Sequence, residues 1–184
     1  MTIACLGWGS LIWDPRELPI QRRWFDDGPF MRIEFTRQSN DDRITLVIEE
    51  NATPVRTLWA VMDPTDLNVA KEALRQREGR PSREFIGHWN VTEASPGSIP
   101  HLLEWANAHG VTSVIWTALP SKFGGEDRRT PTSDEVLEHL RRLVGTKRDD
   151  AERYVRLAPR QIDTAYRRRI EATLGWTPLE KWPA

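Results

Sequence analysis

Residues 3–14 read Ile-Ala-Cys-Leu-Gly-Trp-Gly-Ser-Leu-Ile-Trp-Asp. Ile3, Ala4, Cys5 and Leu6 form an apolar run, the pattern of a strand covered on both faces. The run breaks at Gly7, Trp8, Gly9 and Ser10, then resumes with Leu11, Ile12 and Trp13. Two glycines around one indole let the backbone turn tightly and approach a ligand closely. Ser10 adds a hydroxyl, and the N–H groups of such a loop can converge on an anion or a developing oxyanion. A plain strand-to-loop turn with two packed indoles accounts for the same residues. The segment lacks the lysine and long glycine spacing of a phosphate loop and carries only two glycines of a dinucleotide fingerprint, which argues against nucleotide binding.

Outward from this segment the first half reads mostly as strands. Phe30–Thr36 alternates, with Phe30, Arg32, Glu34 and Thr36 on one face and Met31, Ile33 and Phe35 on the other. Strands are also expected at 44–49, 55–62, 84–92 and 111–119, with a hairpin turn at Asn40-Asp41-Asp42. Asp14 to Pro29 reads as an irregular crossing loop. Asp63-Pro64 signals a helix over 64–78, with Asp63 as cap and Leu67, Ala70 and Leu74 as its apolar stripe. Gly79-Arg80-Pro81 stops it. A second helix covers 99–109 and ends at Gly110. The polar stretch 121–131 reads as a rim loop or a surface connection. Thr132 and Glu135 form a capping box for a helix over 133–144. Further helices are expected at 149–157 and 160–174, split by Pro159. The tail from Gly175 to Ala184, with Trp176 and Trp182, is expected to lie across the body.

The 184 residues are most simply one domain, with a core at 1–120 and a loop and helical extension at 121–184. Apolar residues at 39% and charged residues at 29% are ordinary for a globular protein. No apolar run approaches the length that spans a bilayer, and the N-terminus lacks a signal-peptide pattern. A single cysteine, Cys5, allows no intrachain disulfide and reads as a small buried hydrophobe. A cytoplasmic setting is the expectation. Residues 1–140 carry 15 basic against 21 acidic side chains, and residues 141–184 carry 11 against 6. The basic end could meet an acidic partner or nucleic acid, but no aromatic-interleaved sheet or zinc spacing supports that, and a solvated face of charged helices explains it. Nine tryptophans are scattered, as core packing and pocket walls would require.

The four histidines, His88, His101, His109 and His139, show no metal-ligand spacing, so no metal or other cofactor is expected. Ser10 follows Gly9, but Ile12 stands where a nucleophile elbow has its second glycine. Glu78, in Gln76-Arg77-Glu78-Gly79, sits at the unfavourable end of the expected helix's macrodipole. It is either a surface carboxylate neutralised by Arg75, Arg77 or Arg80, or a general base held against a ligand.

The segment Cys-Leu-Gly-Trp-Gly-Ser-Leu-Ile-Trp-Asp resembles the substrate loop of the γ-glutamyl cyclotransferase-like superfamily, which includes the ChaC-type glutathione-degrading enzymes. The family's Tyr-Gly-Ser-Leu stands here as Trp8-Gly9-Ser10-Leu11, and its Gly-x-x-Tyr strand is matched imperfectly by Thr57-Leu58-Trp59-Ala60. Gln76-Arg77-Glu78-Gly79 resembles the run that carries the family's catalytic glutamate. The resemblance covers roughly residues 3–120. It implies an α+β fold with a small, mixed, barrel-like sheet and packed helices. It implies a substrate with a γ-glutamyl group, a small molecule or short peptide, bound by Trp8, Gly9, Ser10 and Leu11. It further implies Glu78 as general base, cyclotransfer releasing 5-oxoproline and a free amine, and no cofactor. Three features depart from the family. Trp8 removes a phenolic hydroxyl, Thr57 replaces a glycine, and the helical region 132–174 is additional. These departures keep a second reading open, a non-catalytic module that binds a small molecule or protein. A hydrolase or acyl transferase using the same cleft is a third. Nothing in the sequence fixes the oligomeric state.

Overall fold

The computed structural model describes residues 1–179; Trp182 and the end of the expected tail lie outside the described residues. The chain forms a mixed α+β fold with two sheets and packed helices. It divides into two compact units whose sequences interleave. One comprises Met1–Gly7, Asp14–Met31 and Arg56–Leu119, the other Trp8–Trp13, Arg32–Val55 and Pro120–Ala184.

The first unit is built on the quoted apolar run. Strand β1 (Ile3–Gly7) is buried at every residue. In register it runs antiparallel to β5 (Leu58–Val61) and parallel to β7 (Ser113–Thr117), with Cys5 opposite Ala60 on one side and Ile115 on the other. β6 (Ile86–Asn90) closes the order β5-β1-β7-β6. A strand with a neighbour on each side and both faces covered needs no polar alternation, which is why β1 and the centre of β7, Val114 to Trp116, read as apolar runs. The expected strand at 84–92 is shorter because Arg83–Phe85 first makes a 3-10 turn.

Helix α1 (Leu67–Arg77) packs on β6 and β7 and buries Ala70, Leu74 and Arg77. Its cap is Asp66, not Asp63: the Asp66 carboxylate accepts from the N–H groups of Asn68 and Val69 at 2.8 and 3.0 Å. Asp66 places its oxygen over the first free donors, whereas Asp63 lies a turn too early. At the other end the Gly79 N–H donates to Gln76 and the Arg80 N–H to Arg75, with Gly79 at φ +81. This paired closure satisfies the last carbonyls and explains the glycine after Glu78. Helix α2 (Leu102–His109) ends in the same left-handed manner at Gly110.

The second unit holds a sheet in the order β3-β2-β8-β9, with β4 (Pro54–Arg56) also paired to β2. β2 (Phe30–Gln38) and β3 (Ile44–Ile48) form the expected hairpin, and a bulge at Phe35/Arg37 shifts its register. Two sequence expectations are corrected here. The strand 55–62 is two strands, because the chain leaves one sheet at Arg56 and joins the other at Leu58. The intervening Thr57 donates its hydroxyl to the Pro29 carbonyl at 2.7 Å. The stretch 121–131 contains a small hairpin, β8 (Lys122–Phe123) with β9 (Glu126–Asp127), turned by Gly124 and Gly125 at positive φ. The polar face of β2 is also covered: Glu34 and Thr36 are as buried as Ile33 and Phe35.

Helices α3 (Ser133–Arg142), α4 (Gly145–Leu157) and α5 (Ala165–Leu174) complete this unit. The capping box of Thr132 and Glu135 forms in full. α4 packs on β3, and α3 packs on α5. Two buried ionic groups tie the helices down. Glu34 accepts from the Thr164 hydroxyl and from the N–H of Tyr166 at 3.1 Å, so it caps the start of α5. Arg167, 1% exposed, donates to the carbonyls of Val155, Ala158, Pro159 and Ile162 and pairs with Glu171. Its guanidinium thus satisfies the end of α4, where carbonyls lack helical partners.

Candidate functional site

In the second unit, the loop that resembles a substrate loop is held by β3 and α4. Trp8 is 5% exposed, and its indole N–H donates to the Leu46 carbonyl at 3.2 Å. The Leu46 backbone N–H donates to the Tyr154 hydroxyl oxygen at 3.3 Å, so Leu46 ties both partners to one point of β3. The Ile12 N–H closes a turn on the Gly9 carbonyl at 3.0 Å. Leu11 and Ile12 are buried, and Ser10 is half-buried. Trp8 therefore positions the loop through its ring.

Gly9 is required by contact. A Cβ there would lie 2.6 Å from the Tyr154 hydroxyl oxygen. The Trp13 ring meets the Tyr154 ring edge-on at 5.4 Å between centroids. The Arg43 guanidinium lies 5.6 Å from the centre of the same ring. Arg43 Nε is buried without a hydrogen-bond partner among the described residues. Tyr154 was not singled out in the sequence, because a tyrosine in a charged helix reads as packing. Gly9 held the only signal: a glycine with a negative or extended φ marks close approach rather than backbone necessity.

Glu78 lies in the first unit at the C-cap of α1, with its side chain 13% exposed. Arg77 Nη1 donates to Glu78 Oε1 at 2.7 Å. Arg77 is itself buried, and its Nε and Nη2 donate to the Asp14 carbonyl at 3.2 and 2.6 Å. Arg16 in turn donates to the Arg77 carbonyl at 3.3 Å. Of the arginines that could neutralise Glu78, it is Arg77 that does so. Arg75 instead forms a two-pronged pair with Glu72, at 2.8 and 2.7 Å. The Glu78 carboxylate also acts on Cys5 of β1. Burial first, and then the Glu78 charge, push the Cys5 thiol far above its ordinary range, with Arg77 opposing. Cys5 is thus a neutral core side chain.

A further polar cluster in the first unit surrounds Asp27. Its carboxylate accepts from Trp59 Nε1 at 2.9 Å and meets His109 Nε2 at 3.1 Å, and its carbonyl accepts from Trp105 Nε1 at 2.8 Å. The Trp59 and His109 bonds hold the carboxyl below its usual range. The Trp105 and His109 rings stack at 4.8 Å. These bonds fix the irregular segment 14–29 to β5 and α2, and they absorb two of the scattered tryptophans. His139 bonds the Asp42 carbonyl at 2.7 Å. Among the described residues no three His, Cys, Asp or Glu side chains gather as a metal site, and no helix is long and apolar enough to cross a membrane.

Compared with known proteins, the chain matches no family model, no curated protein and no solved structure.

Proposed function

We propose that the chain is a γ-glutamyl cyclotransferase-like enzyme acting in the cytoplasm on a small γ-glutamyl amide or peptide. One observation carries the reading: the Glu78 carboxylate is withdrawn from solvent at a closed helix end. In the proposed reaction Glu78 takes a proton from the substrate's α-amine. The amine nitrogen then attacks the γ-carbonyl carbon, closing a five-membered lactam. The bond from that carbon to the amide nitrogen breaks, and the proton passes from Glu78 to the leaving amine. Holding amine and carbonyl in reacting geometry supplies much of the acceleration. Backbone N–H groups of residues 9–11 hold the glutamyl end, with Trp8 and Leu11 fixing the loop. The barrel-like cyclotransferase identity of the fold is part of the same proposal.

The reaction is tested with glutathione, γ-glutamyl amino acids and γ-glutamylamines, with 5-oxoproline measured by mass. Glu78→Gln keeps size and most hydrogen bonding but removes the proton acceptor, so turnover is expected to fall at least about a hundredfold. Ser10→Ala keeps the backbone N–H and is expected to lose only modestly. Release from no substrate, or an unchanged rate in Glu78→Gln, refutes the proposal. The second reading, a non-catalytic binding module, is favoured by the Glu78–Arg77 ion pair itself, which occupies one carboxylate oxygen. It predicts ligand binding without turnover.

A further inference from the structure

A cavity of about 300 Å³ in the first unit has a lining that does not include Glu78. It is lined by Asn68, Lys71, Glu72 and Arg75 of α1, by Arg83 of the 3-10 turn, and by Ile86 of β6. The four helical residues follow the i, i+3, i+4, i+7 spacing that puts side chains on one face. This face is polar, and it lies beside the apolar stripe that buries Ala70 and Leu74. One face of α1 therefore makes the core while another makes a lined cavity.

The charges in that cavity are unequal. Three cations meet one carboxylate, an excess of two positive charges. The carboxylate is already satisfied. Arg75 grips Glu72 with Nε and Nη2, which brings its carboxyl down to about 2, and the Arg83 charge acts in the same direction. A third nitrogen of Arg75 donates to the Pro81 carbonyl at 3.3 Å, so Arg75 is held in place on both sides. Lys71 and Arg83 are different. Neither forms an ion pair or side-chain hydrogen bond among the described residues, although both line the cavity. Two cations without a direct ion-pair partner, in one concavity with a net positive excess, concentrate field there and attract an anion.

We propose that this cavity binds a phosphate monoester of a small organic molecule. A phosphoryl group puts nearly two negative charges on one centre, which Lys71 and Arg83 can neutralise together. Arginine offers a planar fork and lysine a compact charge, both suited to phosphate oxygens. The Asn68 carboxamide supplies a neutral donor at the rim. The volume exceeds what a lone phosphate needs, since a water's share of liquid is about 30 Å³. The remaining space runs to Ile86, an apolar wall 4% exposed, which suits the organic part of the ester. Glu72, fixed by Arg75, blocks the site to carriers of further negative charge and orients Arg75 without consuming Lys71 or Arg83. This proposal does not depend on the cyclotransferase reading.

The test is calorimetric titration of the full chain with glycerol 3-phosphate, inorganic phosphate and succinate at matched ionic strength. Glycerol 3-phosphate is expected to saturate one site and to bind more tightly than inorganic phosphate. Lys71→Met and Arg83→Gln are each expected to weaken it at least tenfold with unchanged melting curves, because both side chains reach solvent. Arg153→Gln, on α4, is the control and is expected to bind as the parent does. Equal binding of succinate overturns the phosphoryl assignment. No saturable binding, or binding that survives both substitutions, overturns the site.

Discussion

Gly9→Ala is expected to destabilise the protein through a single oxygen atom. The new Cβ would sit 2.6 Å from the Tyr154 hydroxyl oxygen, against about 3.4 Å for an ordinary contact. The hydroxyl must then retreat by about 0.8 Å, enough to break its 3.3 Å bond from the Leu46 N–H. Inserting one methyl into such a contact costs about 1–3 kcal/mol. Tyr154→Phe removes the oxygen. The next ring atom, at 3.6 Å, is already in ordinary contact, so the methyl then fits. Tyr154→Phe costs about 1–3 kcal/mol by itself, because the buried Leu46 N–H loses its acceptor. The double variant should therefore be more stable than the two single losses predict, by about 1–2 kcal/mol. Urea unfolding followed by tryptophan fluorescence reads this as a shift in midpoint at constant slope. In a chain of this size each kcal/mol moves Tm by about 2–4 °C. Losses that add within about 0.5 kcal/mol would refute the contact and, with it, the role of α4 as support for the loop.

Two other outcomes follow from buried ionisable groups. Glu34 has its carboxyl raised above the ordinary 4.5, because burial outweighs the bonds from Thr164, Phe35 and Tyr166. The folded state holds that proton more tightly than the unfolded chain, so the stability it contributes is full below 4.5 and is lost as pH rises through the folded value. Glu34→Gln should flatten the stability profile from the ordinary carboxylate range upward, whatever it does to the baseline; parallel profiles for the two proteins would count against it. Cys5 is fully buried with its thiol pushed upward, so reaction with a thiol reagent at neutral pH should track global unfolding in urea. Rapid stoichiometric labelling of the native protein would contradict this.

Strand and helix types were legible wherever burial is symmetric or a cap is local. Ile3–Gly7 and Ser113–Thr117 announced themselves because both faces are covered, and Thr132 with Glu135 did so because a capping box spans four residues. The Asp66 cap was missed in favour of Asp63 since Pro64 made the earlier residue an equally good local match. The split at Thr57 left no mark, because an apolar strand that changes sheets has the same composition as one that does not. Alternation sorted 30–36 into two faces but could not report that Glu34 and Thr36, on the polar one, are buried as well.

The candidate site divides in the same way. The residues of the loop, its glycines and its serine, and the Glu78-Gly79 helix end were visible as chain-local chemistry. Sequence alone set which side chains can turn, cap, donate or take a proton. Only the tertiary structure decided which of them are already engaged. The Trp8 indole is bound to Leu46, Arg77 rather than Arg75 or Arg80 holds Glu78, and Tyr154 fills the space that Gly9 leaves. Local preferences act within about one helical turn, whereas these partners lie from 38 to 145 positions apart in the case of Trp8–Leu46 and Gly9–Tyr154. Such pairings are fixed by packing, which depends on every element at once and leaves no short-range pattern in the chain.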